Sequence, residues 1–477
     1  MKRTVVLIND GIPYGIDVDG DDKVEKLSVY KPFQFYDRLL ITFQVDELLH
    51  AIKTEDALFP EIIDFECLDH EIRQSITPIE NSWHWSVQSM LDFYLGIDSE
   101  QWENSDQDTL LPLLKQCYLN MIERGTTEID RIQKIELPLN KILYKTQKLG
   151  IYFDVSRARD ECEKLYNREY ELKNDIQLRY GITVPDYMSF ARKFNLPKHE
   201  LSREELKYYS QTYPELKDFL ELKKATRNYD ALLVVAANNQ ANAKCYPSYK
   251  GFGSSTGRIF LKEPSLQNLR RCYRPLLNDP LVSQSEFYKY AYFDYSQFEA
   301  GIIAGLTNND RLKKLYNEGR IYDELGRVAN VDRDTAKTYF YCFAYGGIAI
   351  KGAEAFFDIY CSKSVLDQAI DGFKKMGYVE TKLGNRRIIG KTEESPKWLL
   401  NHLIQGTSSL IFKQAIIDTN ALLDKDEHLL IPMHDGALYI LRKDTDTKII
   451  ARVYADAFRK WIPNMDPIVK EKNFFED

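Results

Sequence analysis

Helical periodicity of the apolar residues is clearest in three parts of the chain. Apolar side chains recur every three or four residues through much of 126–180, again in 215–233 and again in 332–344, which is the spacing of one helix face. Ser156, at the start of the amphipathic stretch 156–180, has a side chain suited to cap a helix N-terminus. The middle of the chain is therefore predicted to be mostly helical.

Strand-like runs lie towards both ends of the chain. Thr4–Ile8 and Leu39–Val45 alternate with Gly- and Asp-rich turns in an α/β pattern, whereas YKYAYFDYS at 288–296 predicts a strand. HLLIPMHDGALYIL at 428–441 predicts two strands around a tight turn. Because helical segments interrupt the strands of one discontinuous sheet, the pattern predicts an α+β catalytic domain rather than a doubly wound one.

Charge is distributed unevenly along the chain. The formal net charge of −8 over 477 residues would by itself argue against a nucleic-acid partner. Residues 1–125, however, contain 10 basic and 24 acidic residues, whereas the remainder contains 54 basic and 48 acidic ones. The asymmetry indicates a boundary near residue 125 and a mildly basic body that can follow phosphates. Variation between domains without functional meaning is an equally simple alternative.

Cysteine usage and hydropathy indicate the compartment. The seven cysteines are scattered and never spaced as CxxC, which favours a reducing environment over a disulfide framework or a zinc site. No apolar stretch is long enough to cross a membrane, and the N-terminal apolar run is too short for a signal peptide. The expectation is a cytoplasmic protein without a membrane partner.

Two aspartates are candidate metal ligands. Asp294 follows a run of β-type residues, which predicts a place at a sheet edge, and Asp435 lies at the turn within HLLIPMHDGALYIL. Taken alone, Asp294 is more typical of a helix N-cap, and Asp435 of an Asp-Gly turn. On neighbouring strands, however, the two carboxylates could hold two metal ions about 3.5–4 Å apart, the arrangement used for in-line phosphoryl transfer.

A further pattern lies in RDTAKTYFYCFAYGG, at residues 333–347. Arg333, Lys337, Tyr341 and Tyr345 recur every four residues and therefore share one face of a helix. Two cations followed by two aromatic rings match the order of phosphates, sugar and base in a nucleoside triphosphate. The alternative is an amphipathic surface helix whose tyrosines enter the core.

Long hydrogen-bond donors form another group, in STGRIFLKEPSLQNLRR and NHLIQGTSSLIFK. The members of the group are Arg258, Gln267, Asn268, Arg270, Arg271 and Gln405. Such side chains suit phosphates and the acceptor-rich minor groove, where contacts carry little sequence information. Each of them, taken alone, is more often an ordinary surface residue.

The order of these motifs resembles that of family A DNA polymerases, the family of bacterial DNA polymerase I. The matching motifs are TGR…PSLQN, DYSQFE, RxxxKxxxYxxxYG, NxxIQGTSxxxxK and HDG. The resemblance begins near residue 129 and continues to the C-terminus. It implies template-directed DNA synthesis from deoxynucleoside triphosphates on primer-template DNA, supported by two Mg²⁺ ions.

The resemblance also implies a right-hand architecture. A polymerase domain at 126–477 would follow a small α/β domain at 1–125. Its parts would be a thumb at about 156–240, a palm at 241–309 and 396–477, and fingers at about 310–395.

Motif position implies a role for each candidate residue. Asp294 and Asp435 would bind the metal ions and carry the catalysis. The incoming nucleotide would be bound by Arg333, Lys337, Tyr341, Gln297 and Glu299. The DNA would be contacted by Arg258, Gln267, Asn268, Gln405 and His434, and by Tyr345 beside the templating base.

Two of these positions distinguish between kinds of polymerase. Glu299 stands where the family excludes a ribose 2′-hydroxyl by bulk and desolvation, unlike the single-subunit phage RNA polymerases. Tyr341 stands where many members have Phe, and in the family Tyr accompanies tolerance of nucleotides without a 3′-hydroxyl. The alternatives are a single-subunit RNA polymerase and a catalytically weak, polymerase-like protein that binds primed DNA.

Two other positions depart from the family pattern. Gly436 replaces the Glu of the usual HDE, which removes a carboxylate near the metals, and Ala300-Gly301 replaces Leu-Arg. Because both metal aspartates are retained, DNA synthesis is still expected.

Residues 1–125 resemble a 3′–5′ proofreading domain only faintly. Gln44 and Asp46 lie near the positions of its second metal motif, and Asp108 near the third. Asp64 and Glu66 have the letters of the first motif but follow the second instead of preceding it. Because a two-metal nuclease needs several converging carboxylates, the region is predicted to be a shortened, degenerate exonuclease-like domain without proofreading activity.

Overall fold

The structure is a computed structural model that describes most of the chain. The described ranges are 2–28, 38–52, 59–79, 83–98, 105–196, 203–237, 244–307, 309–344, 351–360, 371–388, 397–463 and 465–475. Among them, no helix has the length and apolar character needed to cross a bilayer.

Strands and helices are interspersed along the chain. The strands are β1 (Lys2–Asn9), β2 (Ile12–Asp17), β3 (Val24–Lys26), β4 (Arg38–Thr42), β5 (Glu61–Asp64), β6 (Ile151–Tyr152), β7 (Lys244–Cys245), β8 (Ser248–Lys250), β9 (Phe260–Lys262), β10 (Tyr288–Tyr295), β11 (Tyr378–Thr381), β12 (Gly384–Ile388), β13 (His428–Pro432), β14 (Gly436–Arg442) and β15 (Val469–Lys472).

The α-helices are Val45–Ala51, Phe65–Ile76, Val87–Leu95, Gln107–Arg124, Ile129–Arg131, Leu137–Leu149, Val155–Tyr180, Tyr187–Phe194, Arg203–Thr212, Leu216–Ala236, Pro280–Ser283, Phe298–Thr307, Asp310–Asn317, Ile321–Ala329, Arg333–Ala344, Lys351–Tyr360, Lys397–Asn420 and Thr447–Trp461. Further helical elements are a π-helical turn at Ile132–Glu136, 3₁₀ turns at Leu266–Asn268 and Arg271–Leu276, and a helical segment at 371–376. The predicted α+β class is confirmed.

The sheet that carries Asp294 has the order β13-β14-β10-β15, and every neighbouring pair is antiparallel. β13 and β14 are the two strands predicted around a tight turn. β10, however, lies between β14 and β15, so the prediction of a sheet edge for Asp294 is wrong. The edge is formed by β15, from the C-terminal end of the chain, which no local pattern connects to β10.

The N-terminal sheet has the order β3-β2-β1-β4-β5, with β1 parallel to β4 and β4 parallel to β5. Apolar residues alternate along β1, so that Val5 and Leu7 enter one core and Val6 and Ile8 another. Tyr144 of the helix Leu137–Leu149 packs in the second of these cores. This helix also contributes to the large core of the remaining chain and therefore joins the two regions.

The predicted thumb residues contain a long antiparallel helix pair, Val155–Tyr180 with Leu216–Ala236. The first helix begins one residue earlier than predicted. Its N-cap is Asp154, whose carboxylate accepts a hydrogen bond from the Arg157 amide at 3.1 Å. The assignment of Ser156 as the cap is therefore wrong. Both side chains are good caps, so only the backbone geometry distinguishes them.

A buried cluster of charged residues holds distant parts of the chain together. Arg131 contacts Glu71 at 3.0 Å, Glu128 at 2.7 Å and Glu136 at 2.6 Å. Lys413, in the helix Lys397–Asn420, contacts Glu136 at 2.7 Å. Burial raises the pKa of Glu71 to about 8, and the charge of Glu136 adds to this effect. The cluster has more carboxylates than cations, so each cation is needed.

Replacing Arg131 with Met should destabilise the protein strongly, because it leaves buried carboxylates without their shared cation. We expect a loss of about 3–5 kcal/mol in the free energy of unfolding. Lys134→Met, which removes only an exposed ion pair with Asp130 at 2.7 Å, should change it by less than about 0.5 kcal/mol. Urea unfolding followed by circular dichroism measures both variants. If Arg131→Met unfolded at the same urea concentration as the unaltered protein, the role of the cluster would be contradicted.

Candidate active site

Asp294 and Asp435 are brought together by the pairing of two strands. Asp294, near the carboxyl end of β10, pairs with Gly436, the first residue of β14. Asp435 precedes Gly436, and its carbonyl accepts a hydrogen bond from the Tyr295 amide at 3.1 Å. Asp294 does not cap a helix, since the next helix begins at Phe298.

The electrostatic environment of Asp435 is unfavourable for its charged form. Burial raises the pKa of Asp435 to about 7, and the nearby charges of Glu299 and Asp294 contribute in the same direction. Arg258 and Lys337 act in the opposite sense. Asp435 thus lies half-buried beside two other carboxylates, and a bound cation would relieve their repulsion.

Hard oxygen donors of this kind suit magnesium. Mg²⁺ commonly takes one or two carboxylates and completes its octahedral shell with waters and substrate phosphates. Across the described ranges, the structure has no cluster of three or more His, Cys, Asp or Glu side chains with ligand geometry. The pair of Asp294 and Asp435 therefore fits Mg²⁺ bound together with a triphosphate, and fits poorly a metal that needs an all-protein shell.

Glu299 lies at the start of the helix Phe298–Thr307 and is buried. Its carboxylate accepts a hydrogen bond from Arg258 Nη2 at 2.7 Å. Arg258 follows Gly257, which adopts a left-handed conformation with φ of +73° that favours glycine. The two motifs TGR and QFE, far apart in sequence, therefore meet in one ion pair beside Asp435.

Gln297 connects β10 to this helix in a strained conformation. Its φ is +53°, unusual for a residue other than glycine. The backbone carbonyl accepts a hydrogen bond from the Gly301 amide at 2.9 Å, and the side-chain Nε2 donates to the Gly319 carbonyl at 2.7 Å. Its buried Oε1 has no hydrogen-bond partner among the described residues. Such strain accumulates at functional sites.

The helix Arg333–Ala344 carries the predicted row of cations and rings. Asp332 caps it by accepting hydrogen bonds from the amides of residues 334 and 335, both at 3.0 Å. Arg333 and Lys337 are exposed, and Arg333 contacts Asp323 at 3.4 Å. Tyr341 is half-buried, with its hydroxyl 3.4 Å from that of Tyr322.

Burial, followed by the influence of Tyr322 and Glu299, raises the pKa of Tyr341, so that its hydroxyl stays protonated. Lys337 is close enough to Asp435 to lower its pKa. The helix therefore faces the carboxylate cluster with its middle and C-terminal turns. Tyr345, the last member of the predicted row, lies outside the described residues.

Gln267 and Asn268 occupy different environments. Gln267 is buried, and its amide donates to the carbonyls of Ile259 and Pro432, each at 2.9 Å. Its Oε1 accepts from the Leu261 amide at 3.2 Å. These bonds use the side chain inside the protein, so Gln267 holds β9 beside the β13–β14 turn. Asn268 is exposed and donates to Ser265 Oγ at 2.8 Å.

Gln405 and His434 lie near Arg258, in the cleft region around Asp435. Gln405, in the helix Lys397–Asn420, accepts a hydrogen bond from Thr256 Oγ1 at 3.4 Å. His434 lies in the turn that carries Asp435 and keeps contact with solvent, although protein atoms surround much of its ring. The protein atoms that crowd its ring, together with the charge of Arg258, lower the pKa of His434. The imidazole is therefore neutral at physiological pH and can both donate and accept a hydrogen bond.

The two departures from the family pattern have local steric causes. A Cβ at position 436 would collide with the Phe293 carbonyl oxygen, and it would lie 2.9 Å from Asp294 Cα and 2.9 Å from the Tyr292 hydroxyl. A Cβ at position 301 would lie 2.6 Å from Cε2 of the Tyr316 ring. Tyr316 is buried beside Phe458. At position 301 a tyrosine ring from a neighbouring segment fills the volume that a side chain would need, whereas at position 436 the backbone of β10 lies closest and the Tyr292 hydroxyl adds to the obstruction.

Two residues at the site had no place in the sequence prediction. Tyr292 donates a hydrogen bond to Asp294 Oδ1 at 3.2 Å, and Lys472 forms an ion pair with Asp294 Oδ2. The alternation of side chains along β10 could have placed Tyr292 on the same face as Asp294. Lys472 belongs to β15, and no local sequence pattern predicts its contact with Asp294.

Most of the N-terminal residues that faintly resemble exonuclease motifs form hydrogen bonds or ion pairs within the protein. Gln44 exchanges two hydrogen bonds with the backbone of residue 8, at 2.8 and 3.1 Å. Asp46 accepts from Gln147 at 2.5 Å. Lys250 contacts Asp64 and Glu66, each at 2.7 Å. Asp108 is exposed on a different helix, Gln107–Arg124.

Comparison with known proteins finds a family match for the part of the chain that carries the motifs. The model of DNA polymerase family A matches residues 199–460, more than half of the chain. DNA polymerase I of Caldicellulosiruptor bescii is 22% identical over 92% of this chain and 58% of that protein. DNA polymerase I of Bacillus subtilis is 23% identical over 66% of this chain and 42% of that protein.

The fold extends the similarity to the whole chain. A solved structure of the polymerase domain of Pol1 from M. smegmatis, in complex with a DNA primer-template and a deoxynucleotide, superposes with a TM-score of 0.73 at 18% identity. The alignment covers 98% of this chain and 94% of that one. The chain spans roughly half the length of the curated relatives it matches.

Proposed function

The protein belongs to DNA polymerase family A, and we propose that it extends the 3′ end of a primer on a DNA template, using deoxynucleoside triphosphates. The observation that carries the proposal is the convergence of Asp294 and Asp435 in front of the exposed cations of the helix Arg333–Ala344. The relative from M. smegmatis, whose fold is similar, was solved with a primer-template and a deoxynucleotide.

Two groups of residues near Asp435 have proposed roles in binding the substrates, one for the nucleotide and one for the DNA. Arg333 and Lys337 bind the triphosphate, because charge-assisted contacts to phosphate oxygens are strong. Tyr341 lies one turn further along the helix, where the sugar and base of the nucleotide would pack. Gln297, held by Gly319, is the last residue before the helix Phe298–Thr307 and would lie near the phosphates.

The primer-template is proposed to bind at Arg258, Gln405 and His434. Arg258 lies close to His434, Gln405 contacts Thr256 two residues before Arg258, and all three side chains can donate to minor-groove acceptors. Asn268 is exposed for a backbone contact, whereas Gln267 positions β9 from inside the protein. Tyr345 is proposed from motif position alone to lie beside the templating base.

Asp294 and Asp435 would hold two Mg²⁺ ions. When bound, these ions would lower the pKa of the primer 3′-hydroxyl and stabilise negative charge on the leaving pyrophosphate. The strand pairing fixes both carboxylates in advance, so little reorganisation is needed at the moment of reaction. The new bond joins the primer 3′ oxygen to the α-phosphorus, and the bond from that phosphorus to pyrophosphate breaks.

The region 1–125 is proposed to brace the polymerase body rather than to edit DNA. Asp64 and Glu66 form ion pairs with Lys250 of β8, and Lys262 of β9 also contacts Glu66, at 3.0 Å. These carboxylates therefore serve as a link between the two regions. The charge of Lys250 lowers the pKa of Glu66 against the effect of burial.

Asp294→Asn and Asp435→Asn should each reduce primer extension by at least about a thousandfold, since metal catalysis contributes several kcal/mol and about 1.4 kcal/mol corresponds to tenfold in rate. Asp444→Asn, at an exposed position after β14, is the matched control and should extend normally. Binding to a labelled primer-template should change less than about threefold in all variants, because the substitution removes a metal ligand and no DNA contact. Near-normal turnover of either variant would overturn the metal-site assignment.

Glu299→Ala should increase the use of ribonucleotides by about tenfold or more, because it removes the bulk that excludes the 2′-hydroxyl. Glu299→Gln keeps the bulk while ending the ion pair with Arg258, and it should retain most of the discrimination. Single-nucleotide incorporation, measured with a deoxynucleotide and with the matching ribonucleotide, gives the ratio of the two incorporation efficiencies. If the Gln and Ala variants lose discrimination equally, charge rather than size excludes the ribose.

A primer with a mismatched 3′ end should keep its length when incubated with the protein and Mg²⁺ in the absence of nucleotides. The reason is that Asp46, Asp64 and Glu66 are tied to Gln147 or to lysines instead of converging on a cation. Gel electrophoresis of the labelled primer tests this. Shortening that disappears in Asp46→Ala but persists in Asp435→Asn would show a working editing site.

A further inference from the structure

Both carboxylate oxygens of Asp294 are held by other side chains of the protein. Oδ1 accepts a hydrogen bond from the Tyr292 hydroxyl at 3.2 Å, and Oδ2 forms an ion pair with Lys472. Tyr292 precedes Asp294 by two residues on β10, so both side chains emerge on one face of the sheet. Lys472 lies opposite Tyr292 on β15 and reaches Asp294 diagonally.

The position of the Tyr292 hydroxyl depends on Gly436. The hydroxyl lies 2.9 Å from the place that a Cβ of residue 436 would occupy. Any side chain at that position would collide first with the Phe293 carbonyl oxygen of β10, and also with the hydroxyl and with the Asp294 backbone, 2.9 Å away at Cα. The backbone of β10 therefore excludes a side chain at position 436, and the Tyr292 hydroxyl on Asp294 occupies part of the space that such a side chain would need.

The position of Lys472 is supported by the packing of Phe474 and Phe475, which follow it closely in the chain. Phe474 packs against the Tyr292 ring with centroids 5.2 Å apart, and Phe475 against Tyr290 at 5.3 Å. Arg274 donates to the Phe474 carbonyl at 2.9 Å and lies 4.1 Å from the Phe474 ring. These contacts hold the residues that follow Lys472 against β10, and the ammonium group of Lys472 is thereby kept close to Asp294.

We propose that Lys472 is an exchangeable counter-ion, which neutralises Asp294 in the metal-free protein and leaves Oδ2 when a divalent cation binds, while Tyr292 keeps Oδ1 oriented towards the cation. Lys472 and Tyr292 are positioning residues that act through Asp294. The proposal rests on the proposed function in one respect, that Asp294 is a metal ligand.

The two residues should affect metal binding in opposite directions. Lys472 competes with the cation, so Lys472→Met should tighten metal binding by about two- to fivefold, the range expected for a partly exposed ion pair. Tyr292 orients the ligand, so Tyr292→Phe should weaken metal binding by about tenfold, as the loss of an orienting hydrogen bond does elsewhere. The Phe substitution keeps the ring that packs on Phe474.

Mn²⁺ binding to the full chain with a primer-template, followed by electron paramagnetic resonance without nucleotide, measures these affinities apart from turnover. Lys470→Met is the matched control, because Lys470 lies directly opposite Asp294 on β15 but makes no ion pair with it among the described residues. It should change Mn²⁺ affinity by less than about 1.5-fold, the small effect expected of an exposed charge. A melting curve for each variant verifies folding, and Lys472→Gln replaces the Met variant if that variant melts early.

The proposal is overturned if Lys472→Met leaves Mn²⁺ affinity unchanged or weakens it, or if Lys470→Met tightens it equally. It is also overturned if Tyr292→Phe tightens binding. Asp294→Asn separates these results from a failure of the proposed function. If that variant binds Mn²⁺ as well as the unaltered protein does, the metal-site assignment itself is wrong, whatever Lys472 does.

Discussion

The antiparallel pairing of β10 with β14 is the constraint on which the rest of the site depends. The paired residues run from Tyr288 and Arg442 to Asp294 and Gly436, and β14 is buried along nearly its whole length. The ladder holds the two carboxylates close together, and burial, followed by the charges of Glu299 and Asp294, raises the pKa of Asp435. If the proposed cation binds there, the sheet already holds both of its carboxylate ligands in place.

The same ladder explains features that appear unrelated in the sequence. Its close approach at Gly436 leaves room for the Tyr292 hydroxyl and excludes a third acidic side chain. The Arg131 cluster acts at a larger scale, because Lys413 ties the helix that carries Gln405 to Glu136. Glu128 of this cluster also accepts the Asn385 amide of β12 at 2.8 Å. Buried charge thus fixes the arrangement of elements around the cleft.

The sequence predicted best what depends on neighbouring residues. The helix Arg333–Ala344 follows from its own periodicity, and β10, β13 and β14 follow from apolar runs and the Asp-Gly turn. Contacts between distant segments were not predictable in this way. The ion pair of Lys472 with Asp294 and the Tyr316 ring beside Gly301 join residues whose local patterns are ordinary. Side-chain chemistry likewise marked Gln267 as a donor but could not show that it is buried.

A crystal structure with a dideoxy-terminated primer-template, the matching nucleotide and Mg²⁺ tests the central claim most directly. The account predicts Mg²⁺ bonded to carboxylate oxygens of both Asp294 and Asp435 at about 2.0–2.1 Å, with the triphosphate against Arg333 and Lys337. A nucleotide ordered in the cleft, with its metal ions bound away from either aspartate, would contradict the account.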